Sequence, residues 1–169
     1  MNINVSYAQI AGGNVEDDII ETIKEYALDP ANICVEMTES RLIDMTIPFI
    51  RFRHKLKDSR IRFAIDDFGT GYSNLHCIND IKPDYIKIDR DFTAKAMNGQ
   101  RDYELLKSII TMIHSVNAKI CIEGIEQMEW RQEMEKMGAD SLQGYFYGRP
   151  CNKSDFMSNY IREAYICRS

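Results

Sequence analysis

The chain has 169 residues, the length of one ordinary domain, and its 44% apolar and 28% charged residues give the balance of a folded globular protein rather than a disordered one. Twenty-one Lys and Arg against 26 Asp and Glu leave a net charge of −5, the wrong sign for a protein that grips DNA or RNA phosphates non-specifically. No run approaches the roughly 18 apolar residues of a spanning helix, and Met1–Val5 lacks the basic and apolar regions of a secretory signal. The expectation is therefore a cytoplasmic segment with no membrane contact of its own.

Taken in chain order, short apolar runs alternate with amphipathic stretches. Ile3–Ser6 reads as a strand. Ile19, Ile20, Ile23 and Ala27 then form a helical stripe, with Asn14 as cap and Asp17 at the capping-box offset. A strand over Ile33–Thr38 precedes a second stripe through Ile47, Ile50 and Leu56. Arg62–Ile65 and Tyr85–Ile88 read as the next two strands. Leu105, Leu106, Ile109, Ile110 and Ile113 then give the clearest helical period, three turns long. Lys119–Ile122 reads as a strand, Met128, Trp130, Met134 and Met137 as a helix, and Ser141–Tyr145 as the sixth strand. After Pro150, Ser154 is placed to cap a last helix carrying Met157, Tyr160, Ile161 and Tyr165. The Met, Trp and Tyr stripes read as core.

The five cysteines, Cys34, Cys77, Cys121, Cys151 and Cys167, are odd in number, widely spread and form no CxxC pair. They read as small buried hydrophobes or idle thiols rather than a disulfide or zinc framework. His54, His76 and His114 are isolated from one another, so metal chemistry must come from carboxylates.

Repeated βα units imply parallel strands covered by helices, in either a doubly wound sheet or a (β/α) barrel. The count is six units, whereas a closed barrel has eight. Either the sheet is open, or residues 1–169 form the later portion of a single larger barrel domain whose beginning is absent.

The chemistry lies where the strands end. Glu36 and Glu39 close the second strand, Asp66 and Asp67 the third, Lys87 and Asp89 the fourth, and Glu123 the fifth, while Gln143 sits in the sixth. Carboxyl ends of parallel strands share one face, and that face is where α/β folds bind ligands. Packed carboxylates repel and lose hydration, so they need protons or cations. An all-oxygen set of Glu, Asp and Asn suits hard ions such as Mg²⁺ or Mn²⁺. Two such ions sharing a carboxylate, a role the adjacent Asp66-Asp67 pair fits, suit phosphodiester hydrolysis.

These residues closely resemble those of the EAL domain family, bacterial phosphodiesterases that linearise cyclic di-GMP. Asn4-Val5-Ser6 is similar to the family's Asn-x-Ser strand, and Glu36-Met37-Thr38-Glu39-Ser40 to its Glu-x-Thr-Glu-Ser strand. Asp66-Asp67-Phe68-Gly69-Thr70-Gly71-Tyr72-Ser73 is similar to its most diagnostic segment. Pro83-Asp84-Tyr85-Ile86-Lys87-Ile88-Asp89, Glu123-Gly124-Ile125-Glu126 and Gln143-Gly144-Tyr145 follow in the family's order. The resemblance implies a TIM-type (β/α) barrel, here with about six of its eight units, and a site that holds two divalent cations, Mg²⁺ or Mn²⁺, with Ca²⁺ as an inhibitor. It implies that Asn4, Glu36 and Asp66 ligate one metal, that Asp66 bridges to a second held partly by Asp67, and that Glu123 is a ligand, direct or through water. Lys87 would orient or help activate the attacking water, Gln143 would contact the site, and Glu39 would brace the Asp67–Ser73 loop, which shapes the second metal site and a dimer contact.

One departure is plain. The Glu-Ala-Leu motif that names the family, whose Glu is a further metal ligand, occurs nowhere in this chain. The expected function is thus cyclic di-GMP phosphodiesterase chemistry yielding linear pGpG, impaired in this chain. The alternative is a regulatory module that binds cyclic di-GMP or a protein partner without turnover. Exposed strand edges, or the Asp67–Ser73 loop, suggest a homo-oligomer.

Overall fold

A computed structural model describes residues 1–38, 47–70 and 75–161. Six strands, β1 (Asn2–Asn4), β2 (Cys34–Thr38), β3 (Arg62–Phe68), β4 (Tyr85–Ile88), β5 (Lys119–Ile122) and β6 (Ser141–Leu142), form one sheet. All pair in parallel and in sequence order, with β1 and β6 at the two edges. The helices between them are α1 (Tyr7–Gly12), α2 (Val15–Glu25), α3 (Ile47–Asp58), α4 (Leu75–Ile81), α5 (Arg90–Asn98), α6 (Gln100–Ser115) and α7 (Met128–Met137), with α8 (Lys153–Phe156) after the last strand. This is the incomplete (β/α) barrel the sequence implies, not a doubly wound sheet. Among the described residues no helix is long and apolar enough to cross a membrane.

Strand alternation divides the sheet into two unlike faces. Val35, Met37, Phe63, Ile65, Ile86, Ile88, Ile120 and Ile122 point to the helices and are buried in one continuous core. The alternate positions face the concave side, where a closed barrel would pack bulky branched residues. Here they are Cys34 and Glu36, Arg62, Ala64 and Asp66, Tyr85 and Lys87, and Cys121 and Glu123. The apolar side of the chain is spent on holding helices, and the polar side is left for the site.

Several expected elements shift for identifiable reasons. β3 continues past Ile65 to Phe68 because its pairing with β4 slips there, so that Asp66 and Asp67 together oppose Lys87. β6 ends at Leu142 because the chain turns through Gly144, with Phe146 N–H donating to Ile125 O and Tyr147 N–H to Gly144 O. The stripe Ile47, Ile50 and Leu56 is only one-third right. Ile47 is 84% exposed and Ile50 40% exposed, and α3 instead buries Phe49, Phe52 and Leu56. Phe49 meets Phe63 of β3 edge-on, with centroids 6.1 Å apart, and this aromatic contact sets the helix rotation. Leu105 and Met128 likewise face solvent, leaving Leu106, Ile110, Ile113 and Met134 as the buried positions.

The caps also differ. Asn14 precedes α2 in a left-handed conformation with no side-chain bond, so its carbonyl rather than its amide side chain starts the helix. Asn152, not Ser154, caps α8 by accepting from Asp155 N–H. The short α1, which lacks an apolar stripe, begins with a capping box between Ser6 and Gln9. Tyr165 and Cys167 lie outside the described residues, and Cys34, Cys121 and Cys151 are free thiols. Glu16, buried on α2, is answered by Arg51 and Lys55 of α3 at 3.1 and 3.4 Å.

Phe52→Ala should lower unfolding stability by about 3–5 kcal/mol, the cost of an aromatic-sized cavity. Ile47→Ala should stay within about 0.5 kcal/mol. Urea titration followed by circular dichroism separates the two, and equal losses would contradict the helix rotation described.

Candidate active site

The carboxyl ends of β2 to β5 meet at Lys87. Its Nζ lies 3.0 Å from Glu36 Oε2, 3.0 Å from Asp66 Oδ1 and 2.7 Å from Glu123 Oε1. Lys87 and Glu36 are buried, at 5% and 3% exposure, while Asp66 and Glu123 are half-buried toward the open side. These four residues span 88 positions of sequence, and parallel pairing brings them to one point. Glu36 and Lys87 point inward because each stands two residues from another inward position, Cys34 and Tyr85.

The slip in β3 is the local device. Two residues opposite one make a bulge, which bends the strand and re-aims its side chains. Asp67 takes φ 55° there, a left-handed conformation that Asp tolerates better than most residues. Its N–H donates to Asp66 Oδ1 at 3.1 Å. In consequence Asp66 and Asp67, which alternation would send to opposite faces, both offer oxygens to one place. Oxygens of Asp66, Asp67 and Glu123 lie within 4.8 Å of one another.

Two glycines fix the neighbouring turn. Gly124 has φ 76°, and a Cβ there would meet Arg90 Cα at 2.9 Å. Gly144 lies so close to the Ile125 backbone that a Cβ has no room. Ile125 N–H donates to Gln143 O at 3.0 Å, which ties the end of β6 to the turn after Glu123.

Electrostatics follow from burial. Desolvation raises the Glu36 and Glu123 carboxyls above their ordinary range, and Lys87 works against that rise in both. Asp67 is raised too, by burial and then by the charges of Asp66 and Asp89. Burial opposes the charge of Lys87, but hydrogen bonds to Glu123, Glu36 and Asp66 outweigh it and hold the ammonium above its ordinary 10.5. Lys87 is therefore a fixed cation. The four carboxylates Glu36, Asp66, Asp67 and Glu123 carry four negative charges against its one positive charge, so the cluster keeps an excess of three. Hard oxygen donors with uncompensated charge fit divalent cations.

The remaining predicted residues are placed differently. Asn4 pairs in register with Glu36 and lines a cleft with it beside β1, but it is exposed on the edge strand. Gln143 is exposed on the far side, after β6. No hydrogen bond or ion pair joins either side chain to the carboxylates among the described residues. Asp89, the other acid at the end of β4, caps α5 through Asp91 N–H at 2.9 Å. Glu39 and the loop residues Gly71–Ser73 lie outside the described residues. Sequence reading passed over Cys34, Arg62, Tyr85, Cys121 and Ser141, which pave the concave floor beneath the cluster. Counting back in twos from Glu36, Asp66, Lys87, Glu123 and Gln143 finds all five.

The EAL domain profile matches residues 1–150. The chain belongs to the EAL domain family. It is 32% identical over 161 residues to the signaling protein YkoW of Bacillus subtilis, covering 95% of this chain and 20% of that protein. It is 29% identical over 148 residues to the bifunctional diguanylate cyclase/cyclic di-GMP phosphodiesterase MucR of Pseudomonas aeruginosa, covering 88% and 22%. The structure of the EAL enzyme Bd1971 in its cAMP- and cyclic-di-GMP-bound form superposes with a TM-score of 0.88 at 29% identity, covering 94% of this chain and 42% of that one. The EAL chain described here thus spans about a fifth of the length of these curated relatives.

In metal-free buffer, Lys87→Met should cost about 3–5 kcal/mol at neutral pH, because it strands buried carboxylates without a partner. The pH dependence has a defined sign. Raised carboxyl pKa values mean the native EAL domain binds protons more tightly than the unfolded chain, so wild-type stability falls as pH rises through the acid range. The Lys87 contribution is intact below 10.5 and is lost as pH rises beyond it. The Lys87→Met deficit should shrink on acidification. Denaturant midpoints across that range read both, and a deficit independent of pH would show that Lys87 does not neutralise the cluster.

Proposed function

We propose that this EAL domain hydrolyses cyclic di-GMP to linear pGpG. The observation that carries the reading is the buried Lys87 ammonium bonded to three carboxylates from three strands, beside the Asp66-Asp67 bulge. Asn4, Glu36, Asp66, Asp67 and Glu123 would hold two divalent cations, Mg²⁺ or Mn²⁺, with Ca²⁺ as an inhibitory substitute. When bound, such ions supply Lewis-acid charge to a phosphodiester.

The chain's own residues do the rest. Lys87, being fixed in its protonated form, donates rather than abstracts. Its three N–H groups are given to Glu36, Asp66 and Glu123, so cations that took up those carboxylates would free an N–H to orient the attacking water, while its charge stands where phosphoryl charge develops. Water oxygen bonds to phosphorus, the bond from phosphorus to one ribose oxygen breaks, and that oxygen takes a proton. Gln143, at the rim, contacts the substrate. By its resemblance to the family, Glu39 would brace the loop that begins at Asp67.

A second reading, binding without turnover, is favoured by two observations: β1 and β6 are not paired to each other, so the sheet is open beside the site, and no Glu-Ala-Leu occurs in these 169 residues. Calorimetry of cyclic di-GMP with the purified chain, followed by chromatography, distinguishes the two. Hydrolysis that falls at least about 100-fold in Asp66→Asn and Lys87→Met, and that stops with chelator, is the expected result for the enzyme. Binding with no pGpG favours the regulatory module. Absence of both in a folded sample overturns the proposal for this chain. The open edges should also draw two copies together, and light scattering that returns a clean monomer would count against that.

A further inference from the structure

The opposite end of the sheet, at the amino ends of β3 and β4, holds a cleft of about 400 Å³ between α3 and α4. It shares only Arg62 with the floor of the site above and none of the clustered carboxylates or Lys87. Five cations line it, Arg53, Lys57, Arg60, Arg62 and Lys82, against two acids, Asp80 and Asp84. The concentration is already visible along the chain. Residues 51–62 carry Arg51, Arg53, Lys55, Lys57, Arg60 and Arg62 in a protein whose net charge is −5. Arg51 and Lys55 are used by Glu16 and Asp17 on the other side of α3. Among the described residues, none of the five cleft cations is in an ion pair.

Arg53 is the built part of the cleft. Its guanidinium stacks on Phe63, with Cζ 4.5 Å from the ring centroid. Its Nη2 donates to the carbonyls of Ile81 and Lys82 at 3.3 and 3.0 Å. That holds the plane rigid and leaves Nε and Nη1 shut away from water with no acceptor. Burial lowers its pKa below the ordinary arginine value without removing its charge at neutral pH. Arg53 thus fixes a positive charge at the cleft floor, and the donors a ligand can reach are those of the exposed Lys57, Arg60 and Lys82.

Two of the cations sit where glycine is ordinary. Arg60 and Lys82 follow the ends of α3 and α4 with φ 60° and 50°, the left-handed position that glycine usually fills. Each helix end offsets about half a positive charge. His54 is neutral in the count. Five cations less two carboxylates less two half-charges leaves about two positive charges, which matches a phosphate monoester near neutral pH. Phe49, Ile50 and Ile81 give the cleft an apolar wall. A volume of this size accommodates a small organic ligand.

We propose that this cleft binds a phosphate monoester with an apolar or planar body, of mononucleotide size, drawn by the fixed charge of Arg53 at its floor and held by Lys57, Arg60 and Lys82 at the rim. The proposal does not rest on the hydrolytic reading. The test titrates inorganic phosphate, GMP and phosphatidylserine vesicles separately into the chain by calorimetry or NMR, against Lys57→Ala/Lys82→Ala and against Lys87→Met. The expected result is saturable one-to-one binding of GMP, with phosphate weaker, that the rim double variant weakens about tenfold and Lys87→Met leaves unchanged. Arg53→Met, which removes the fixed charge at the floor, should weaken GMP binding too, with folding checked by circular dichroism. GMP binding lost in a Lys87→Met sample that circular dichroism shows to be folded, and kept in the rim variant, would place the ligand at the other end of the sheet and overturn the proposal. Binding to vesicles alone, or to none of the three, would overturn it as well.

Discussion

One buried ammonium organises this domain. Glu36, Asp66 and Glu123 come from strands far apart in sequence, and each loses hydration as the strands assemble. Without Lys87 between them, closing β2 to β5 around the site would force three carboxylates together in a poorly solvated space. With it, the strand ends are tied across the sheet by bonds of 2.7 to 3.0 Å. The compensation is incomplete by charge count, and that excess of hard oxygen charge is of the kind that divalent cations suit. A functional site and an electrostatic liability are here the same object.

The sheet is arranged so that this liability does not compete with folding. Its helix-facing side carries the core, from Val35 through Ile122. The concave face can then carry cysteines, a tyrosine and charges that a packed barrel interior would not accept. Arg62 and Lys119 flank the Tyr85 ring at 5.9 Å each, so the floor of the site is itself polar and cationic. The EAL domain keeps stability on one face of its strands and chemistry on the other. Membership in the family and the superposition on Bd1971 fit that division, since both cover the strands that carry it.

The bulge at Asp66-Asp67 shows why tertiary detail matters. A strand in regular alternation can present one of two adjacent side chains to a face, never both. The shift in pairing with β4 removes that restriction at a single position, and φ 55° at Asp67 is its backbone signature. The adjacent acids were conspicuous in the sequence, but a regular strand would have wasted one of them.

The period of the residues by itself determined much. Six βα units, the parallel order and the set Glu36, Asp66, Lys87 and Glu123 are all legible, because strand ends in such folds converge by topology whatever the packing. Tyr85–Ile88 and Lys119–Ile122 were bounded correctly because turn residues and charges flank them closely. What only the tertiary structure decided depends on contacts between distant residues. The rotation of α3 was misread at Ile47 and Ile50 because Phe63, 14 residues beyond Phe49, chooses the buried face. Asp89 looked like a site carboxylate and became a helix cap, because a helix begins at the next residue. Asn4 and Gln143 kept their places in the strand order but stayed at the rim, since edge strands have a neighbour on one side only. The basic cleft came from α3 and α4 meeting at the amino end of the sheet. Sequence lists charges along a line, and only folding decides which of them share a space from which water is excluded.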